Sequence, residues 1–155
     1  MTQRLNLYTA APKALEPLMA LEATIAASTL EPALIELVKI RASQINGCAN
    51  CLHMHTADAR KAGEKEERIY LLDAWRESAM YTPRERAALA WTESLTRVAE
   101  THAPDADFGG LKPHFNEAEI VYLTVLIGAI NTWNRIAIGF RAEHPNDKKL
   151  MRAAA

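Results

Sequence analysis

The chain is predicted to be all-α, a single-domain helical bundle. Three observations carry this. Apolar residues recur three and four apart in segment after segment, as in Leu34, Leu37, Val38 and Ile40. Two helix-capping boxes are written into the sequence, at Thr82–Glu85 and Asn116–Glu119. No comparable period-two alternation marks a strand.

Taken in order, Leu15, Leu18, Met19 and Leu21 outline the apolar face of a first helix. Pro32 suits a first helical position, and the helix it opens runs through Glu36 to about Ile45 before Asn46-Gly47 interrupts it. A new helix begins at Cys48 and ends at Gly63. The charged run from Glu64 to Arg68 starts another, with Ile69, Leu72 and Trp75 on its apolar face and the charges on a solvated one. Thr82-Pro83-Arg84-Glu85 combines a capping threonine, a proline at the first helical position and a glutamate that reaches back. Prolines and Gly109-Gly110 make residues 103–113 the least regular segment, a loop with room for one short helical turn. Asn116 caps the last long helix. Ala33 to Ile40 also aligns weakly with Ala118 to Val125 at an offset of 85, which superposes Asn46 on Asn131 and Cys48 on Trp133.

At 155 residues, 49% apolar and 24% charged, the chain can bury one substantial core, and one domain over 1–155 is expected, with its core at about 12–138. A formal net charge of -1 leaves no global excess of cations for phosphates, so nucleic acid is not an expected partner. The apolar stretch Ile120–Ile130 is too short to span a bilayer, and the first residues lack the apolar core of a secretion signal. A cytoplasmic protein without membrane association is therefore expected. In that setting a close cysteine pair is more often catalytic, redox-sensing or metal-binding than a structural staple.

The run Cys48-Ala-Asn-Cys51-Leu-His-Met-His55 holds both cysteines of the chain. At about 100° per residue, Cys48, Cys51 and His55 fall within an arc of roughly 60° on one helix face, and His53 points elsewhere, to a surface or interface. Near a helix start, unpaired amides and the helix dipole favour a thiolate, and an imidazole four residues on can take or return its proton. A second thiol one turn away can attack a sulfenic acid on the first and close a disulfide. Two other readings stay open. The cysteines could be small apolar residues on a core face. Alternatively, Cys48, Cys51 and His55 could ligate zinc, although no second Cys or His pair follows to complete four ligands. No cofactor is expected.

The stretch Glu36-Leu-Val-Lys-Ile-Arg-Ala-Ser-Gln-Ile-Asn-Gly-Cys48-Ala-Asn-Cys51-Leu-His-Met-His55 resembles the alkylhydroperoxidase (AhpD-like) core of the carboxymuconolactone decarboxylase family. The resemblance extends through Thr82-Pro-Arg-Glu-Arg-Ala-Ala-Leu-Ala-Trp-Thr-Glu and Asn131-Thr-Trp-Asn-Arg135, covering about Pro12 to Ile138. It implies an all-helical orthogonal bundle assembled as trimers or hexamers, and thiol-dependent reduction of hydroperoxides in antioxidant defence. It also implies Cys51 as the attacking thiol, Cys48 as its resolving partner, and His55 with Glu36 in a proton relay. The electron donor it implies is a dithiol: a lipoylated carrier, a thioredoxin-like protein or a small thiol. Spacing alone does not select Glu36, which reads as a charge on the face of Ile40 and Ser43. The best-known peroxidase pattern has a histidine between the cysteines where Asn50 stands, and Asn50 cannot shuttle protons at neutral pH. Decarboxylase members lack the paired cysteines, which argues against decarboxylation.

Asn131, Asn134 and Arg135 interrupt the apolar last helix. A structural hydrogen-bond network is the expected use, with the arginine meeting solvent, a carboxylate or an interface. Trp75, Trp91 and Trp133 are expected in the core or at an interface.

Overall fold

The computed structural model describes residues 2–144 and 146; the rest of the 1–155 domain expectation lies outside the described residues. Among these the chain is helical throughout and has no strand: α1 (Leu7–Ala10), α2 (Pro12–Ala26), α3 (Pro32–Asn46), α4 (Ala49–Lys61), α5 (Glu66–Tyr70), a 3-10 turn (Leu72–Ala74), α6 (Pro83–Thr96), α7 (Val98–Thr101), α8 (Asp105–Gly109) and α9 (Glu117–Phe140). Helices α3, α6 and α9 pack on one another, with α2 against α9 and α4 against α3.

α3 is the central element because its apolar residues go round the helix rather than along one stripe. Leu34, Ile35 and Val38 join a core with Ala88, Trp91, Leu123, Leu126 and Ile127. Leu37 and Ile40 enter a second core with Leu72, Trp75, Tyr81 and Leu89. Each fully buried aliphatic side chain contributes about 1.5–3 kcal/mol. An all-round apolar helix is a buried helix, and α3 accordingly buries even Lys39 and Arg41. The Arg41 guanidinium is held by Glu93, through Nε at 2.9 Å, and by Asp73 and Gln44.

Both expected capping boxes form. Thr82 Oγ1 accepts from the Glu85 amide while Glu85 returns to the Thr82 amide, and Asn116 and Glu119 do the same for α9. α9 has 24 residues and is long and apolar enough to cross a bilayer by length and composition. In this fold one face of it enters the core, carrying Leu123, Leu126, Ile127 and Ile130 fully into the interior. Asn131 and Asn134 form the expected network: Asn46 Nδ2 donates to both side-chain oxygens, and Asn134 donates to Ser43 Oγ at 3.0 Å. Among the described residues Arg135 meets no carboxylate; it donates to the Asn131 backbone and side-chain oxygens.

Two expectations are corrected. The charged run 64–68 is a solvated face only in part: Lys65, Glu66 and Glu67 are exposed, but Arg68 reaches Glu64 at 2.8 Å and Glu85 at 2.5 Å with all three of those side chains largely buried. The reason is the capping glutamate Glu85, whose carboxylate needs a second partner beside its own helix start. The periodicity from Ile69 to Trp75 is also not one helix, because α5 stops at Tyr70 and a tighter turn carries Leu72 and Trp75 into the core. The short helical turn expected in 103–113 is α8.

Candidate active site

The site begins at the end of α3. Gly47 adopts a left-handed conformation, φ 70° and ψ 34°, which a glycine takes without the Cβ penalty. That single residue turns the chain so that Cys48 N–H bonds the Ser43 carbonyl and Gly47 N–H the Gln44 carbonyl. Cys48 then stands in extended conformation as the cap of α4, its Sγ accepting the Cys51 amide at 3.3 Å. The sequence-based arc treated Cys48 as part of the helix; it is instead the residue that caps it. The two cysteines are joined as a disulfide, with their Cα atoms 5.4 Å apart.

Both cysteines are buried, but they are not equivalent. Cys51 lines a cavity of about 740 Å3 together with His55, Glu36 and Asn50, whereas Cys48 does not reach its wall. The cavity lies among α2 (Met19, Glu22), α3 (Glu36, Lys39), α4 and α9 (Trp133, Ile136, Ala137). The segment before α1 (Gln3, Asn6), α1 itself (Leu7, Tyr8) and the residues after α9 (Ala142, His144) complete its wall. Arg4 ties the N-terminal segment to the end of α9, donating from its amide to Phe140 O at 2.9 Å and from Nη1 to Gly139 O at 3.0 Å.

His55 Nδ1 lies 3.0 Å from Glu36 Oε2. With a proton on Nδ1 the imidazole donates to the carboxylate, and Nε2 keeps the lone pair that can take a proton. The imidazole is 7% exposed, and four residues separate it from Cys51 along α4, so the two lie on one face of that helix. The structure thus brings Cys51, His55 and Glu36 to one cavity wall and leaves Cys48 behind it. Among the described residues, no three of His, Cys, Asp and Glu are grouped to hold a metal ion.

Several lining residues were not singled out in the sequence. Lys39 follows Glu36 by three residues on α3, a spacing that places both on one face, and its Nζ meets Glu22 Oε2 at 2.6 Å. Trp133 was expected in the core or at an interface and lines the cavity instead, while Trp75 and Trp91 are core residues. His53 faces away from the cysteines, as its helical phase indicates, and stacks on His144 with ring centroids 3.7 Å apart.

Residues 12–94 match the model of the carboxymuconolactone decarboxylase family. YdfG of Bacillus subtilis, an uncharacterised protein, is 44% identical over 138 residues, 89% of this chain and 94% of its own. A crystal structure from Agrobacterium tumefaciens, of a protein of unknown function provisionally assigned to AhpD antioxidant defence, superposes with a TM-score of 0.90 at 51% identity, covering 93% of this chain and 99% of that one. An uncharacterised peroxidase-related protein of Silicibacter superposes with a TM-score of 0.76 at 25% identity, covering 86% and 71% of the two chains.

Proposed function

The chain belongs to the carboxymuconolactone decarboxylase family, and from that premise we propose that it is a thiol-dependent peroxidase that reduces organic hydroperoxides through a Cys48–Cys51 dithiol cycle. The observation that carries this reading is the inequality of the two sulfurs: Cys51 lines the cavity beside His55 and Glu36, and Cys48 does not. The relatives named for antioxidant defence and for peroxidase relation support the same chemistry.

In the reduced protein, His55 Nε2 takes the Cys51 proton, and Glu36 holds the resulting imidazolium. The Cys51 thiolate attacks the terminal oxygen of ROOH, the O–O bond breaks, and His55 protonates the departing alkoxide. Cys51 is left as a sulfenic acid. Cys48 then attacks that sulfur, giving up its thiol proton to the departing hydroxyl, so that the S–O bond breaks, the disulfide forms and water leaves. An external dithiol restores the enzyme: one donor thiolate attacks the cavity-facing Cys51 sulfur and expels Cys48 as a thiolate. The second donor thiol then displaces Cys51 and closes the donor's own disulfide. The Cys51 amide that caps onto Cys48 Sγ stabilises the anion at the sulfur that resolves and later leaves. Asn50, where the best-known pattern has a histidine, supplies hydrogen bonds but no proton, so His55 alone handles the proton of this step.

Repeated cycling needs a compartment that keeps donor thiols reduced, consistent with a cytoplasmic setting. A homo-oligomer is also proposed. Val98, Val121 and Ile138 are exposed beside a shallow apolar depression along α9, and sedimentation showing only monomer at micromolar concentration would reject assembly.

The test is steady-state reduction of cumene hydroperoxide with a panel of lipoylated, thioredoxin-like and small dithiol donors, followed by mass spectrometry. Turnover with a Cys48–Cys51 disulfide formed by one equivalent of peroxide is expected. Full turnover in Cys51→Ser would overturn the mechanism. Disulfide formation without turnover on any donor would identify a redox sensor instead.

A further inference from the structure

We propose that the partly buried pair Glu22–Lys39 sets the substrate charge accepted by the cavity, excluding hydroperoxides that carry a carboxylate and admitting uncharged ones with an apolar body. The inference rests on the peroxidase reading and adds the class of substrate.

Most of the cavity wall is apolar: Leu7, Met19, Met54, Trp133, Ile136 and Ala137. Among the described lining residues, Lys39 is the sole lysine or arginine, against the carboxylates of Glu22, Glu36, Asp58 and Glu143. A lone lysine on such a wall would be an anchor for a carboxylate-bearing substrate. Here it is already taken. Nζ is 2.6 Å from Glu22 Oε2, and Lys39 is only 9% exposed.

The pair is poorly built as a stabilising device. Glu22 Oε1 is buried without a hydrogen-bond partner, and an unsatisfied buried acceptor is destabilising. Two apolar residues of similar volume would serve the fold as well or better. Its physical effect lies in the cavity: Glu22 neutralises the one lysine or arginine among the described lining residues, so an entering carboxylate loses its water, finds Lys39 already paired and the His55 imidazolium already flanked by Glu36 and the Cys51 thiolate, and meets the negative field of those two. An uncharged hydroperoxide meets none of these penalties. Discrimination by repulsion and desolvation, without a tighter contact to the favoured substrate, is a common route to specificity.

The experiment compares kcat/KM for cumene hydroperoxide and its para-carboxylate analogue at neutral pH, in the full-length protein. The wild type should favour the uncharged substrate about tenfold or more. Glu22→Gln frees the Lys39 charge and should narrow that ratio at least several-fold. Lys39→Gln leaves the Glu22 charge uncompensated and should widen it. A purely structural pair would move both substrates together and leave the ratio fixed in either variant. A wild-type ratio near one overturns the inference, as does an unchanged ratio in whichever variant folds. Turnover of neither substrate by the wild type overturns the peroxidase reading and this inference with it, whereas equal turnover of both overturns the inference alone.

Discussion

The side-chain amide of Asn46 donates to the side-chain oxygen of Asn131 at 3.0 Å, joining two residues 85 positions apart. They occupy matching places in matching helices, since α3 starts at Pro32 and α9 at Glu117, also 85 apart. The two helices diverge immediately afterwards. α3 is broken by Gly47, and Cys48 caps a new helix; α9 runs on through Thr132, and Trp133 projects into the cavity that Cys51 lines. At the same offset Trp133 stands where the first helix pair has Cys48 and Ile136 where it has Cys51, so the cavity wall facing Cys51 is apolar and carries no second thiol.

Asn46→Ala removes the donor to both Asn131 and Asn134 and leaves the Asn134 oxygen buried without this partner. A loss of about 2–3 kcal/mol is expected, from two hydrogen bonds and one desolvated acceptor. Urea denaturation measures it. The variant should also oxidise more slowly with peroxide, because Asn46 directly precedes the Gly47 turn that positions Cys48. A stability loss below about 0.5 kcal/mol would show the network to be unimportant.

Cys48→Ser removes the resolving sulfur and keeps the cavity-facing one. One equivalent of hydroperoxide should leave Cys51 as a sulfenic acid, trapped by dimedone and found by mass spectrometry on the Cys51 peptide. Trapping in Cys51→Ser, on Cys48, would reverse the assigned roles. Donor-dependent turnover in Cys48→Ser should be strongly reduced, because no intramolecular disulfide can form.

Glu93 predicts the acid limit of the fold. Burial alone would raise its carboxyl, but hydrogen bonds from Trp75, Arg76 and Arg41 outweigh burial and hold it below the ordinary value of 4.5. A carboxyl depressed in the folded state contributes stability that is fully present above the unfolded value and lost as pH falls through the folded one. Stability to urea should therefore decline below about pH 4.5. Glu93→Gln should flatten that decline and cost about 2 kcal/mol at neutral pH, because it leaves Arg41 in the interior with weaker partners. An unchanged acid slope would remove Glu93 as its source.

Local signals were legible in the sequence and relations across breaks were not. Pro32, Thr82 and Asn116 act on their own first turns, so their helix starts could be read directly. The contact between Glu36 and His55 could not, because the left-handed Gly47 between them erases the angular phase that links α3 to α4; only the family resemblance singled out Glu36. The enclosure of the cavity by the terminal segments was hidden for a related reason. Residues 3–6 and 142–144 carry no periodicity, and their positions depend on contacts such as Arg4 with the end of α9. Lys39 was within reach. Its three-residue spacing from Glu36 places it on the same helix face, but a lysine in an apolar helix reads as a solvent-facing interruption until its partner Glu22 is seen.

Glu36 is the residue on which resemblance and geometry bear most differently, so its variant is the sharpest test of the relay. Glu36→Gln preserves size and hydrogen-bonding capacity but removes the charge that holds the His55 imidazolium. The rate of Cys51 oxidation by peroxide should fall by about 10²-fold, the lower range for loss of acid–base assistance. His55→Gln should lower the rate by a similar or larger factor, and the double variant should be little worse than His55→Gln alone, since Glu36 acts through the imidazole. Stopped-flow oxidation rates measure these effects with thiol loss as the readout, and urea denaturation of the same variants separates them from a packing defect, which would lower stability along with the rate. Multiplicative losses in the double variant would show instead that Glu36 works independently of His55.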